Sequence, residues 1–316
     1  MRNVLVTGGA GFIGSHIVEA LVNRGDRVRV LDNLCTGKLS NLAPVRDQIE
    51  IIEADLNDAA AVGRGVAGVD CIFHEAALAS VPRSVEKPLE TNAACVTGTL
   101  SLLDAASRAG VRRLVYAGSS SAYGDQPSTS KRETDLPLPI SPYGAAKIAA
   151  ELYLHAYAAM RKIETVTLRY FNVFGPRQDP NSEYSAVIPK FITLLLSGKQ
   201  PTVFGDGLQS RDFTFVGDVV AGNLLAADAP NVSGRVMNLA AGRSITLLEL
   251  LDVLSRLLNT PAKAQFAPPR AGDVRESLAD ITLARQLLHY EARVSFEEGL
   301  RRSIDYYKSE FHKAQK

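Results

Sequence analysis

Cysteine is scarce in this chain of 316 residues: Cys35, Cys71 and Cys95 are odd in number and irregular in spacing. They supply neither a disulfide framework nor a zinc-ligand pattern, and they suit a reducing cytosol. An excess of one charge is also missing. Lys and Arg number 35 against 34 Asp and Glu, a formal net charge of +1. No global field therefore draws the chain to nucleic acid or to an anionic membrane, and an anionic ligand must be held locally. No apolar stretch approaches the ~20 residues a membrane helix needs. The opening "MRNVLVTGGAGFIG" has no charged leader, long apolar run or small-residue cleavage site. It is expected to be the first strand of the fold, not a signal peptide. These absences predict a cytoplasmic protein.

What is present is ordinary for a globular protein, with 46% hydrophobic and 22% charged residues. The length is comfortable for two domains. Short apolar runs read as strands at 3–7, 27–32, 49–55, 69–77, 112–120 and 164–172. Helical patterns lie between them at 12–25, in "DAAAVGRGV", and in the small-residue runs 89–109 and 142–161. Near-continuous apolar strands separated by helices predict an α/β fold, a parallel sheet covered on both faces. After residue 175 the pattern loosens into loops rich in proline and glycine. The expected division is a first domain over 1–175 and a smaller, mainly substrate-binding domain over 176–316. Segments of the second can cross back to the first.

"TGGAGFIG" (7–14) follows a strand and opens a helix. It satisfies G-x-G-x-x-G as Gly9, Gly11 and Gly14, and G-x-x-G-x-x-G as Gly8, Gly11 and Gly14. Glycine permits a tight turn and close approach of backbone N–H groups to a pyrophosphate, and the helix N-terminus adds partial positive charge. Asp32 ends the next strand, where a carboxylate can accept from a ribose hydroxyl. A 2′-phosphate there would meet like charge, which favours NAD over NADP. The bland alternative for Asp32 is a turn or helix cap. Asp55, after the third strand, is suited to the adenine edge or is a plain turn aspartate.

Tyr143 and Lys147, in "SPYGAAKIAA" (141–150), stand at i and i+4 and share a helical face. A phenol of pKa ~10 is a poor base at pH 7. Bringing it to ~7 needs about 4 kcal/mol of preferential phenolate stabilisation. One ammonium at ~4 Å in an effective dielectric of ~20 supplies about that much. The pair makes a general base only if both groups point into a shared, partly dry site; otherwise it is a surface helix with a solvated lysine. Pro142 fits the first helical turn and puts Tyr143 near the helix start. "VYAGSSSAYGD" (115–125) brings Ser119, Ser120, Ser121 and Tyr123 to the end of a strand, where hydroxyls face the ligand crevice. His16, His74, His155, His289 and His312 fall in no catalytic pairing or metal spacing, so no metal is expected.

These motifs, with "HEAA", "SSSAYG", "RYFNVFGP", "SRDFTFVGDV" and "RAGDV" in that order, cover residues 3 to about 305. The chain resembles an extended short-chain dehydrogenase/reductase, and most resembles the nucleotide-sugar 4-epimerases of the UDP-glucose 4-epimerase kind. The resemblance implies a Rossmann doubly wound parallel sheet with helices on both faces, plus a smaller mixed α/β domain for the UDP-sugar. It implies that Phe12, Ile13, Asp32, Asn33, Asp55, Leu56, Asn92 and Lys147 line an NAD site, with Ala77 and Phe171 near the nicotinamide. Ser119 matches the catalytic serine, Tyr143 the base, and Ser121 a second substrate contact. Asn172, Val187 and the Thr202, Val203 and Phe204 segment match residues that hold UDP. Arg211 and Arg270 would sit on its diphosphate and Asp273 near the uridine ribose; for either arginine a surface ion pair is the alternative. The small-residue helices match elements that pack across a two-fold axis, so a homodimer is expected. Sugar-nucleotide 4,6-dehydratases carry an acidic pair where this chain has "SSSAYG", which argues against dehydration.

Ser277 lies where glucose/galactose epimerases of this kind carry a bulky tyrosine and relatives accepting N-acetyl sugars carry a small residue. "ALASVPRS" (77–84) resembles the loop of the N-acetylhexosamine-preferring members, with Ser80 and Arg83 near the sugar. Both UDP-Glc/UDP-Gal and UDP-GlcNAc/UDP-GalNAc are the expected substrates, unless Ser277 is simply a loop residue. A UDP-glucuronate 4-epimerase or decarboxylase is a rival reading, with Arg83 meeting the carboxylate. A non-catalytic NAD-binding sensor on the same fold is another.

Overall fold

A computed structural model describes residues 1–126, 128, 130–180, 187–269 and 275–314. Six strands and six helices make up most of the first half. β1 (Asn3–Thr7), α1 (Phe12–Asn23), β2 (Arg27–Asp32) and β3 (Ile49–Glu53) come first. α2 (Ala59–Val66), β4 (Cys71–His74), α3 (Val81–Glu86), α4 (Pro88–Asn92) and α5 (Gly98–Arg108) follow. β5 (Arg113–Ser119), α6 (Pro142–Ala159) and β6 (Glu164–Tyr170) complete the series. The strands form one parallel sheet in the order β3-β2-β1-β4-β5-β6, and strand Arg235–Leu239 extends it beside β6. The chain order reverses between β1 and β4, which opens the ligand crevice at their carboxyl ends.

Apolar residues on both sides of each strand require cover on both faces. α1 and the helix Val216–Asp228 bury one face with Ile17, Val18, Leu21, Val219 and Ala226. α2, α5 and α6 bury the other with Val62, Val66, Leu102, Leu103 and Leu154. A separate apolar cluster unites helices Val187–Leu196, Leu247–Leu258 and Phe296–Ala314 around Phe174, Phe191 and Phe213. Among the described residues, three further sheets of two or three strands lie outside the large one. The fold is thus the doubly wound α/β arrangement with a smaller mixed lobe.

Local chemistry sets the element ends. The Asp58 carboxylate accepts from the backbone N–H groups of Ala60 and Ala61 and starts α2. The Ser141 hydroxyl accepts from Gly144 N–H at 3.1 Å, and Pro142 opens α6, so Tyr143 lies in the first turn. The expected strand 69–77 stops at His74, and 75–77 turn instead into the crevice. The expected helix 89–109 is three pieces, α4, a π-helical turn at Ala93–Thr97, and α5. A methyl group at Gly98 would stand 2.9 Å from the Leu56 Cβ, so the wide turn sits where this helical path presses on the crevice wall. Strand Arg235–Leu239, which belongs to the large sheet, has no counterpart among the expected strands. Among the described residues, no helix is long and apolar enough to cross a membrane.

Candidate active site

The glycine turn closes only without side chains. Gly8 has φ +67°, and a Cβ there would lie 2.6 Å from the backbone nitrogen of Ala76. A Cβ at Gly14 would lie 2.2 Å from the Gly8 carbonyl oxygen. Gly11 N–H donates to that same carbonyl at 3.0 Å, and Gly11 caps α1. Phe12 and Ile13 begin α1 and pack against the apolar cluster of the smaller lobe.

Asp32, at the end of β2, is nearly buried and accepts from Ala10 N–H and Leu34 N–H, each at 2.9 Å. Beside it the Asn33 amide donates to Asp55 at 2.7 Å. Hydrogen bonds from the Asn57 backbone, then from Asn33 and the Asn57 amide, hold the Asp55 carboxyl below the usual range against its partial burial. Asp32, Asn33, Asp55, Leu56 and Ala77 line one cleft at the strand ends. Sequence reasoning placed these five together; it did not assign Cys35, Thr36, Leu78 and Ala94 to the site, and these share the wall with Leu31, Ala54 and Ala76. Those four carry no polar pattern that would single them out. Asn92 is exposed at the end of α4, outside this wall. The glycine cradle, the acidic strand end and the adjoining cleft fit a dinucleotide.

Lys147 is buried, 4% exposed, and its ammonium donates to the Ala117 carbonyl of β5 at 2.9 Å. The nitrogen lies 4.8 Å from the centre of the Tyr116 ring and 5.9 Å from that of Tyr143. Burial opposes the cation, but the acidic groups Tyr116, Tyr143, Cys95 and Glu75 outweigh it and hold Lys147 above the ordinary lysine range. Burial pushes the Tyr116 phenol upward as well. Burial also raises the Glu75 carboxyl to about 7, although the Tyr170 hydroxyl donates to it at 2.9 Å. Tyr143 is half-buried, and its backbone N–H donates to the Ser84 hydroxyl oxygen at 3.1 Å. The tyrosine and lysine therefore face the same side of α6, toward the end of β5. Ser119, the last residue of β5, accepts from Ser121 N–H at 3.1 Å and caps a short turn.

Beyond this pair lies a cavity of about 410 Å³ between the lobes. Ser121, Phe171, Asn172, Arg211 and Ser277 all line it. Arg211 and Ser277 are register partners in a small parallel pairing, which explains their convergence across 66 residues of sequence. Tyr123, Val81, Val85, Lys131, Ile140 and Glu276 complete much of the wall. Of these, Tyr123 alone was singled out from the sequence, at the strand end that faces the crevice. Ser80 and Arg83 are not on this wall. The Ser80 hydroxyl accepts from Arg83 N–H at 3.1 Å as the cap of α3, and the Arg83 guanidinium pairs with Glu90 at 3.2 Å. Val187 begins a helix that packs in the smaller lobe. Strand Thr202–Phe204 pairs with Gln265–Ala267; its Val203 is fully buried in that lobe's core, and Thr202 is exposed. Arg270 and Asp273 lie outside the described residues.

Residues 4–240 match the NAD dependent epimerase/dehydratase family. The UDP-glucose 4-epimerase of Mycolicibacterium smegmatis is 38% identical over 310 residues, 96% of this chain and 98% of its own. The UDP-glucuronate 4-epimerase of Thermodesulfobacterium geofontis is 32% identical over 318 residues, 98% of this chain and 97% of its own. The structure of the UDP-N-acetylglucosamine 4-epimerase from Methanobrevibacter ruminantium, in complex with UDP-N-acetylmuramic acid, superposes with a TM-score of 0.94. It is 41% identical and covers 98% of this chain and 99% of that one. A tyrosine and lysine on one face of a helix, a dinucleotide cradle and this whole-length likeness lead to one conclusion: the chain belongs to the NAD dependent epimerase/dehydratase family, among its nucleotide-sugar 4-epimerases, and is an NAD-dependent isomerase.

Proposed function

We propose that this enzyme inverts C4 of UDP-sugars and takes both the UDP-Glc/UDP-Gal and the UDP-GlcNAc/UDP-GalNAc pairs. The observation that carries the reading is the inter-lobe cavity of about 410 Å³, with the small Ser277 on its wall. A serine leaves volume for an acetamido group. Glu276 stands on the same wall, and the Lys131 ammonium there is engaged by the carbonyls of Gln126 and Ser128, each at 2.7 Å. Arg83 is paired with Glu90. These contacts favour an uncharged hexosyl group over a uronate, whose carboxylate would share the wall with Glu276.

The residues divide the work as follows. Gly8, Gly11, Gly14, Asp32, Asn33, Asp55 and Leu56 hold the dinucleotide, which when bound supplies hydride acceptance and return at C4. Tyr143 takes the proton of the sugar 4-hydroxyl and later gives it back on the opposite configuration. Lys147 favours the phenolate by its charge. Ser119 and Ser121 bond the sugar oxygen, and Asn172 and Arg211 bind the nucleotide. The 4-keto sugar turns over in the cavity between the two steps. Net redox is zero, so NAD stays bound through turnover.

We place the enzyme in the reducing cytosol, supported by three free thiols, of which Cys35 is exposed. A homodimer through α5 and α6 is the matching assembly, supported by Leu152 and Tyr153, which stand 63% and 42% exposed on α6. The division near residue 175 holds in this reading, with Val216–Asp228 and Arg235–Leu239 returning to the large lobe.

Purified protein offered UDP-hexoses, UDP-N-acetylhexosamines and UDP-glucuronate in parallel tests the reading. Interconversion of the first two classes and NAD released on denaturation are expected. Turnover of UDP-glucuronate alone would overturn the substrate assignment.

A further inference from the structure

Asn238 is fully buried near the carboxyl end of strand Arg235–Leu239 and is absent from the cavity wall. Its side chain nevertheless ties together the segments that form that wall. The Asn238 Oδ1 accepts from the Tyr123 hydroxyl at 2.6 Å. Its Nδ2 donates to the Lys131 carbonyl at 2.9 Å and to the Asp280 carbonyl at 3.1 Å. Its backbone N–H donates to the Glu133 carboxylate at 2.7 Å. One amide thus uses both donors and its acceptor on three separate pieces of chain, in a site with no water-accessible surface.

Two of those pieces are already joined. Lys131 N–H donates to Leu278 O at 2.8 Å, and Asp280 N–H donates to Lys131 O at 2.9 Å. The segment carrying Ser277 is therefore stapled to the loop carrying Lys131, and Asn238 caps the staple. The third piece, Tyr123, is fixed on its ring as well. The Arg169 guanidinium lies 4.7 Å from the ring centre, and the Phe171 ring lies 6.1 Å away. Arg169 in turn grips Glu151 of α6 through two hydrogen bonds, at 3.1 and 2.6 Å. Glu151 lies two helical turns beyond Tyr143. The network runs from the helix of the tyrosine–lysine pair to the wall of Ser277.

We infer that Asn238 is a positioning residue for the sugar end of the cavity, setting the separation between the Tyr123 wall and the Ser277 wall. This rests on the UDP-sugar reading above. An apolar residue there would take a partner from the buried Tyr123 hydroxyl and from the Asp280 carbonyl, and one of two from the Lys131 carbonyl.

The test compares wild type with Asn238→Ala and Tyr123→Phe, all loaded with NAD, titrated with UDP alone and with UDP-GlcNAc. Tyr123→Phe keeps the ring and removes one hydrogen bond, so it decides the matter if Asn238→Ala fails to fold. UDP-GlcNAc binding is expected to weaken about tenfold, the scale of a lost buried hydrogen bond, while UDP binding changes less than about threefold. In turnover, KM for UDP-GlcNAc rises with the binding loss, kcat changes much less, and bound NAD is unaltered. Variants that fold, keep NAD and bind UDP-GlcNAc like wild type would overturn the inference. So would loss of kcat and NAD together at unchanged KM. Wild type that binds no UDP-sugar would overturn the parent reading and this one with it; wild type that binds beside equally competent variants would overturn this one alone.

Discussion

The ammonium of Lys147 donates to the main-chain carbonyl of Ala117 at 2.9 Å. This bond pins a cation carried by α6 to the end of β5 and leaves it 5.9 Å from the ring centre of Tyr143. The ammonium is nearly cut off from solvent, so its field acts on the phenol with little screening.

Tyr143→Phe is therefore expected to lower kcat by roughly 10²- to 10⁴-fold, the usual worth of a positioned acid–base group. Bound NAD should remain. Turnover at the wild-type rate would remove Tyr143 from the mechanism. Lys147→Met should lose activity on the same scale, because the phenolate loses its nearest cation.

Ser277→Tyr is expected to shift the ratio of kcat/KM for UDP-GlcNAc against UDP-Glc by about tenfold or more toward the hexose, since a phenol would fill space that an acetamido group needs. An unchanged ratio would show that the selectivity is set elsewhere on the wall.

His74 predicts acid lability. It is fully buried, with Nδ1 2.7 Å from the Thr7 hydroxyl and Nε2 2.8 Å from that of Thr99. The Thr99 hydroxyl donates to Cys95 O at 2.7 Å, so it accepts from Nε2–H and leaves Nδ1 to accept from Thr7. Burial, then the charge of Lys147, lowers the imidazole to about 3. A depressed histidine favours the folded state fully above its ordinary value near 6.5 and loses that contribution as pH falls toward 3. At pH 5 the loss is about 2 kcal/mol. Denaturant titrations at pH 7.5 and 5 should show it as the difference between wild type and His74→Gln, because protonation of the buried Glu75, raised to about 7, opposes it in both proteins. An equal pH dependence in both proteins would contradict the assignment.

Gly14→Ala should fail to hold NAD. The added methyl group would stand 2.2 Å from the Gly8 carbonyl, and both atoms belong to rigid backbone. A stability loss of about 1–3 kcal/mol is expected alongside the NAD loss. Full NAD content in the purified variant would disprove the cradle's role.

The cofactor end was legible because its signals are local. A glycine triad between strand and helix, an acidic residue at the next strand end and an i, i+4 tyrosine–lysine pair are each set by bonds within a few residues of chain. The parallel sheet was legible for the same reason, since β1, β4 and β5 carry apolar residues on both faces. Strand Arg235–Leu239 escaped notice because its five residues are short and partly polar, and its place beside β6 comes from pairing across some seventy residues of chain. Val81, Val85, Lys131, Ile140 and Glu276 escaped for a related reason: none has a chemical signature until the lobes meet.

Local sequence sets the doubly wound sheet, the dinucleotide cradle and the shared helical face of Tyr143 and Lys147, because short-range sterics and hydrophobic periodicity decide those features. Packing between distant segments sets which side chains wall the inter-lobe cavity, that Arg83 is engaged with Glu90, and that Asn238 sits at the junction of three segments. Burial and hydrogen-bond satisfaction are settled between residues far apart in the chain, and no local pattern encodes them.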